Sequence, residues 1–378
     1  MTVTDVLPDD KALRLARRAR LLDAMETEGV DVLVVGREAN ARYVSGAPRL
    51  WMAGSRAFGP GCVLVRATGA VHLLSTWDEG IPEEIPHENL YGISFNSMNF
   101  LKVLQKIEGA ATALTVATDS MSGSSAHLLP KAFRSAELVD GEPLLRRVRR
   151  VKAPEEIEAI RAAVKVAEGA LAAAVDALSP GVTERQLTGV FMEAMATAGV
   201  TTPLGQDVAW RASGADPWRR AGRDTPVEPG DLVAFEAGVL VGGYGGEIGR
   251  THAVGQGPVD PELAGRCHEL WERLVAACRP GVPLLGLLDA YGAAGEPAPP
   301  MPVARGLGLG FDLPLVTHAL PHEAAEQQAE EGMVLALTAF VWEEGVGALY
   351  LQEPVVVTAT GPELLSTTPF RDARSPAP

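Results

Sequence analysis

DLVAFEAGVLVG (231–242) and YGGEIGRTHAVG (244–255) decide how this chain is read. Both are apolar, glycine-bounded runs that fit strands better than helices, and GMVLALTAFVW (332–342) and LYLQEPVVVTA (349–359) repeat the pattern. Between the two pairs, PELAGRCHELWERLVAAC (261–278) and VPLLGLLDAYGAA (282–294) carry helical spacing. Two more helices precede the first pair, one running through Leu178 and one from Thr183 to Gly199. Strands in runs with helices between them predict an α+β domain on a curved, mainly antiparallel sheet.

Upstream, the signature changes at LLRRVRRVKAPEEIEAIRAA (144–163), a basic stretch in which Pro154, Glu155 and Glu156 make a good helix start. Before it, Lys11 to Glu28 places Leu13, Leu15, Leu21, Leu22 and Met25 at helical spacing among arginines, as in an amphipathic surface helix. DVLVVG (31–36), CVLVRATGAVHLL (62–74), TALTVATD (112–119) and SAHLLPKAF (125–133) continue an α/β alternation to about residue 140. The expected division is an α/β domain over 1–150 and an α+β domain over 151–378, in keeping with a 378-residue chain too long for one growing core.

A net charge of -15 and a pI near 5.0 argue against nucleic-acid or anionic-membrane partners, which need a basic face. No apolar run reaches the roughly 20 residues of a membrane helix, and the polar N-terminus has no signal-peptide core, so a cytoplasmic location is expected. Cys62, Cys267 and Cys278 are far apart and read as buried small residues, not as a disulfide or a thiolate site.

Taken in order, the segments resemble the creatinase/prolidase (peptidase M24, "pita-bread") family over most of the chain. RRARLLDAMETEGVDVLVVGREANARYVSG (17–46) is similar to its N-terminal opening, VKAPEEIEAIRAA (151–163) to its interdomain junction, and EPGDLVAFEAG (228–238) with GRTHAVG (249–255) to its central hairpin. PVARGLGLGFDLP (302–314), EGMVLALTAF (331–340) and VVVTATGPELLS (355–366) fall where later site segments lie. The stretch 213–238 is most similar to the branch that includes dimethylsulfoniopropionate lyases, which implies that membership need not mean peptidase activity.

Metal-bearing members hold two divalent ions with two aspartates, a histidine and two glutamates. Position by position, the resemblance places Glu236 and Glu247 at the aspartates, Arg305 at the histidine, Thr338 at the first glutamate and Gln352, next to Glu353, at the second. All five depart from the pattern. Arginine has no lone pair to offer a cation, so no metal and no other cofactor are expected. Glu236, Glu247 and Arg305 become the candidate catalytic groups, with Arg305 expected to pair with the glutamates and hold both ionised. The family's histidine before the hairpin is replaced near Arg219, beside Trp218. Creatinase shows that the fold supports metal-free catalysis, but it relies on that histidine.

Trp210, Arg211, Trp218 and Arg219 are expected around the mouth of the site, either reading a planar or carboxylate-bearing ligand or forming a solvated loop with one anchoring tryptophan. Arg250 is expected to support the site, Tyr244 to pack, and His318 or His322 either to replace the proton shuttle or to serve as ordinary surface or core residues. The glycine-rich run ARGLGLG (304–310) reads as tight backbone lining a cavity. Three functions follow. One is a metal-independent enzyme for a small amino-acid-derived or carboxylate-bearing metabolite, acting by hydrolysis, elimination or rearrangement. The others are a non-catalytic binder of a ligand or protein and a conventional Xaa-Pro metallopeptidase. The resemblance also implies a homodimer, with ARYVSGAPRLW (41–51), including Arg42 and Arg49, near the closure.

Overall fold

The structure is a computed structural model that describes residues 10–47, 61–94, 96–119, 123–205, 208–212, 224–255 and 259–368. Its chain contacts divide into two compact units, Asp9–Arg149 and Arg150–Pro378. Arg49, Trp218 and Arg219 lie outside the described residues.

The first unit runs α1 (Asp10–Thr27), β1 (Val32–Val35), α2 (Glu38–Ser45), β2 (Cys62–Val65), β3 (Val71–Leu74), β4 (Leu90–Tyr91), α3 (Ser97–Lys106), β5 (Thr115–Thr118), α4 (Gly123–Ala132), β6 (Glu137–Asp140) and α5 (Glu142–Arg150). Its six strands order as β4-β3-β2-β1-β5-β6, with β1 parallel to β5 and β5 parallel to β6. β1 is buried along its whole length, as a central strand covered on both faces should be. The α1 helix departs from the simple amphipathic expectation. Leu15 is exposed while Arg14 and Arg17 are buried, Arg14 against Glu84 and Asp10 and Arg17 with its guanidinium 5.5 Å from the Tyr43 ring centre. Long arginine stems cover apolar surface there while their heads find partners.

The second unit runs α6 (Pro154–Asp176), α7 (Glu184–Thr197), β7 (Ala209–Arg211), β8 (Leu232–Val241), β9 (Tyr244–Ala253), α8 (Pro261–Ala277), α9 (Leu285–Ala294), β10 (Ala304–Gly308), β11 (Gly310–Val316), α10 (Pro321–Ala325), β12 (Val334–Glu343), β13 (Gly347–Thr358) and β14 (Gly361–Leu364). The strands make one antiparallel sheet in the order β11-β10-β12-β13-β9-β8-β7, with β14 beside β13. The first unit is thus an α/β domain and the second an α+β domain on one antiparallel sheet, the fold class expected from the sequence. Within the run 304–310, Ala304–Gly308 forms β10 and is buried throughout.

Local chemistry fixes the pieces. Val241 pairs with Tyr244 across a two-residue turn of Gly242 and Gly243, both at positive φ, the backbone such a turn demands. Pro154 opens α6, and Glu156 accepts from the Ala153 amide at 3.0 Å and from the Tyr244 hydroxyl at 3.0 Å, tying the helix start to β9. Tyr244 thus packs, as expected, but with a hydrogen bond to a buried carboxylate. Asp260 caps α8 by accepting from the Glu262 and Leu263 amides. The buried faces of α8 and α9 pack against β12 and β13, forming a core around Leu270, Leu274, Tyr291, Leu337 and Leu351. The three cysteines are buried and free, and burial pushes the Cys267 and Cys278 thiols up to about 12, where they are inert.

Candidate functional site

Strand register assembles the site. Glu236 on β8 pairs with Gly249 on β9, Gly249 with Gln352 on β13, and Gln352 with Thr338 on β12. Directly paired residues share a face, so Glu236, Gln352 and Thr338 form one row across four strands. Glu247 and Tyr350 sit two residues from members of that row and therefore point the same way. Arg305 pairs with Ala336, two residues from Thr338, which brings its guanidinium to the same face from β10. Gly249 supplies the room: a Cβ there would press into the Tyr350 ring and lie 2.8 Å from the Gln352 Cβ.

On this face Arg305 donates a short ion-paired hydrogen bond to Glu247, and its Nη2 lies 4.0 Å from Glu236. Glu247 is fully buried, whereas the Glu236 side chain is 30% exposed. Gln352 donates to the Thr338 hydroxyl at 3.2 Å, and both are buried. Tyr350 lies over Gly249 with its ring 5.3 Å from Trp210. Burial, with the charges of Glu236 and Glu247, pushes its phenol well above the usual range.

The expectation that Arg305 holds both glutamates ionised fails at Glu247. Burial disfavours the charged form more than Arg305 favours it, and Glu236 adds like-charge repulsion, so the Glu247 carboxyl is pushed up to about 7. A carboxyl with a raised folded-state pKa makes the native state bind more protons than the unfolded chain between its ordinary 4.5 and about 7. Its contribution to stability is therefore fully present below 4.5 and is lost as pH rises to about 7, on the order of 3 kcal/mol at ~1.4 kcal/mol per pKa unit. Unfolding curves for the parent and Glu247→Gln, measured from pH 4.5 to 8, are expected to differ by this slope. Parallel curves would show that Glu247 keeps an ordinary pKa.

Not every expected site residue joins this row. Arg250 and Glu353 each follow a row member by one residue, so they occupy the opposite face of the sheet, where they form a buried ion pair with each other. Arg250 also donates to the carbonyls of Gly249, Gln352 and Thr368. Neither residue reaches the ligand face. Trp210 on β7 pairs with Ala234, two residues from Glu236, so it lies buried on the ligand face with its ring against Tyr350. His318 stands edge-on to Tyr291 at 5.7 Å, and His322 is exposed on α10. Sequence reading missed Tyr350, although the alternation that places Gln352 on this face also places Tyr350 there.

Several relatives resemble the chain. A Xaa-Pro dipeptidase of Pyrococcus horikoshii is 24% identical over 365 residues, covering 92% of this chain and 96% of that protein. A creatinase of a Bacillus species is 24% identical over 382 residues, covering 94% and 90%. Among solved structures, the prolidase of Pyrococcus horikoshii superposes with a TM-score of 0.75 at 19% identity, covering 94% of this chain and 99% of that one, which shows the shared fold. The family model described as "Creatinase/Prolidase N-terminal domain" matches residues 17–151, and the one described as "Metallopeptidase family M24" matches 158–359, more than half of the chain. The chain belongs to metallopeptidase family M24, with the creatinase/prolidase N-terminal domain ahead of its catalytic-type domain.

Proposed function

We propose that this M24 protein is a metal-independent enzyme that transforms a small amino-acid-derived or carboxylate-bearing metabolite by hydrolysis, elimination or rearrangement. One observation carries the reading: the Arg305 guanidinium is ion-paired to Glu247 and 4.0 Å from Glu236, the positions that the family resemblance assigns to metal ligands. Among the described residues, no group of three or more His, Cys, Asp or Glu side chains could hold a metal ion. Two carboxylates with a fixed cation between them, flanked by the neutral Thr338 and Gln352, do not fit a pair of divalent ions. The Xaa-Pro dipeptidase relatives therefore do not pass their activity to this chain by name alone.

The two carboxylates divide the work by environment. Glu247, buried with its carboxyl pushed up to about 7, is placed to give or take a proton near neutral pH, and Glu236, 30% exposed, meets solvent and ligand. Arg305 fixes the orientation of Glu247 and presents positive charge to whatever negative charge develops nearby. A thermal-shift screen of small amino and keto acids in the presence of chelator is expected to find a saturable stabiliser. Hydrolysis of Xaa-Pro dipeptides that depends on added manganese would contradict the proposal.

The proposal also takes the protein to be a cytoplasmic homodimer, supported only by the family resemblance and by the absence, among the described residues, of a helix long and apolar enough to cross a membrane. Light scattering at micromolar concentration is expected to give twice the 39.8 kDa chain mass, and a monomer would refute the dimer. Cell fractionation checks the compartment.

A further inference from the structure

We infer that residues 365–368 form a strap that locks the two halves of the antiparallel sheet together behind the candidate site, with Glu168, Arg250 and Glu353 as its positioning residues. The inference rests on the reading of the opposite face as the site. In the sheet, β9 and β13 are neighbours, but among the described residues they share a single register pair, Gly249 with Gln352. The hairpins on either side pair continuously, β8 with β9 from Leu232 to Val241 and β12 with β13 from Val334 to Glu343. The site straddles this seam. Glu236 and Glu247 ride on the half made of β7, β8 and β9, and Arg305, Thr338, Tyr350 and Gln352 ride on the other. The ion pair between Arg305 and Glu247 and the 4.0 Å approach to Glu236 therefore depend on where one half sits against the other.

Side chains do at the seam what a backbone ladder does elsewhere. The Thr251 hydroxyl accepts from the Tyr350 amide at 2.8 Å and donates to the Tyr350 carbonyl at 3.3 Å. On the opposite face Arg250 joins both halves, donating to the Gly249 and Gln352 carbonyls at 2.8 and 3.2 Å and pairing with Glu353. The chain leaving β14 crosses there. The amide of the buried Leu365 donates to the Pro354 carbonyl of β13 at 2.9 Å, and the Thr368 carbonyl accepts from Arg250 at 3.3 Å. Glu168, buried in α6, accepts from the Thr367 amide at 2.7 Å, the Thr367 hydroxyl at 2.8 Å and the Thr368 amide at 2.6 Å. A glutamate is seldom buried without such donors, and the hydrogen bonds that a carboxylate accepts are stronger than neutral ones. Because α6 packs on β8 and β9, the strap runs from β13 to the half that carries both site glutamates.

Residue-resolved amide hydrogen exchange and urea unfolding of the full chain test the strap. Glu168→Leu removes both acceptor oxygens, and Glu168→Gln keeps one for the two amides. Glu168→Leu is expected to speed exchange of the Tyr350 amide at least about tenfold, with amides inside the hairpin of β8 and β9 changing less than about twofold, because local opening exposes only the bonds it breaks. Glu168→Gln should stay near the parent. Arg305→Ala should shift the unfolding constant at pH 8 by a factor roughly tenfold smaller in the Glu168→Leu background than in the parent, since loosened halves no longer hold Arg305 on Glu247. A glutamate that serves overall stability alone gives additive effects and equal acceleration at Tyr350 and inside the hairpin, and either result overturns the inference. If Glu168→Leu does not fold, Thr367→Val removes one of the bonds to Glu168 and is read in the same two ways, with smaller changes expected in the same direction. Manganese-dependent hydrolysis of Xaa-Pro dipeptides would overturn the metal-free reading instead and leave the exchange results standing.

Discussion

Arg305→Ala is expected to destabilise the protein by roughly 3 to 5 kcal/mol at pH 8 and to abolish ligand binding, because it strands the buried Glu247 carboxylate without its partner. The loss should shrink toward pH 5.5. Glu247 takes up a proton below about 7 in any case, and a neutral carboxyl has little need of a counter-charge. A structural arginine on the surface gives a small, pH-independent effect, so the pH dependence separates the two explanations. Combining Arg305→Ala with Glu236→Gln and Glu247→Gln removes the uncompensated charge and is expected to recover much of the stability at pH 8 but none of the binding. Chemical unfolding of the three chains at pH 5.5 and 8 measures all of this. An Arg305→Ala protein as stable at pH 8 as the parent would show that the guanidinium does not balance the buried carboxylate.

The second large effect concerns the support of the site and not its chemistry. Gly246→Ala is expected to cost more than 3 kcal/mol or to prevent folding. A Cβ at Gly246 would lie closer to the backbone of Ala163 and Val164 than real carbon atoms approach, and 2.6 Å from the Ala163 carbonyl oxygen. These are backbone atoms of α6, so no rotamer change can make room. The helix is built for this contact: Ala159, Ala163, Ala167, Ala170 and Ala174 are buried along it, and small residues allow α6 and β9 to approach closely. Moving α6 away would loosen the strand that carries Glu247 on its other face. Gly286→Ala is the control, since a Cβ on α9 meets only Val282 at 3.7 Å and Ala277 at 3.9 Å and gains helix propensity. It should be neutral or slightly stabilising. Thermal melts of both variants decide the point, and equal stability of Gly246→Ala and the parent would contradict the packing argument.

Much of this was legible in the sequence because the chain keeps strong local signals. The strand runs 231–242 and 244–255 became β8 and β9, their glycine pair became the turn, and Pro154 opened α6. What escaped was short or strained. β4, β7 and β14 span two to four residues, too few for periodicity to register, and the glycines of 304–310 hid β10 in a run read only as tight backbone. At the site, Glu236, Glu247, Arg305, Thr338 and Gln352 do come to one face, and Arg305 meets the glutamates. Glu353 was drawn in as the neighbour of Gln352, although alternation along a strand sends immediate neighbours to opposite faces. Trp210 was expected at an open mouth, and it is buried on the site's face with its ring against Tyr350. The raised Glu247 carboxyl could not be read from the sequence, since it depends on how completely three packed strands exclude water.

Elemental analysis of the purified chain, before and after chelator, tests the central claim most directly, with melting temperature read on the same samples. The account predicts less than about a tenth of an equivalent of manganese, cobalt, zinc or iron per chain, and no change on chelation, because a guanidinium already stands against the carboxylates that would bind it. One or two equivalents per chain, removed by chelator with a fall in melting temperature, would contradict it.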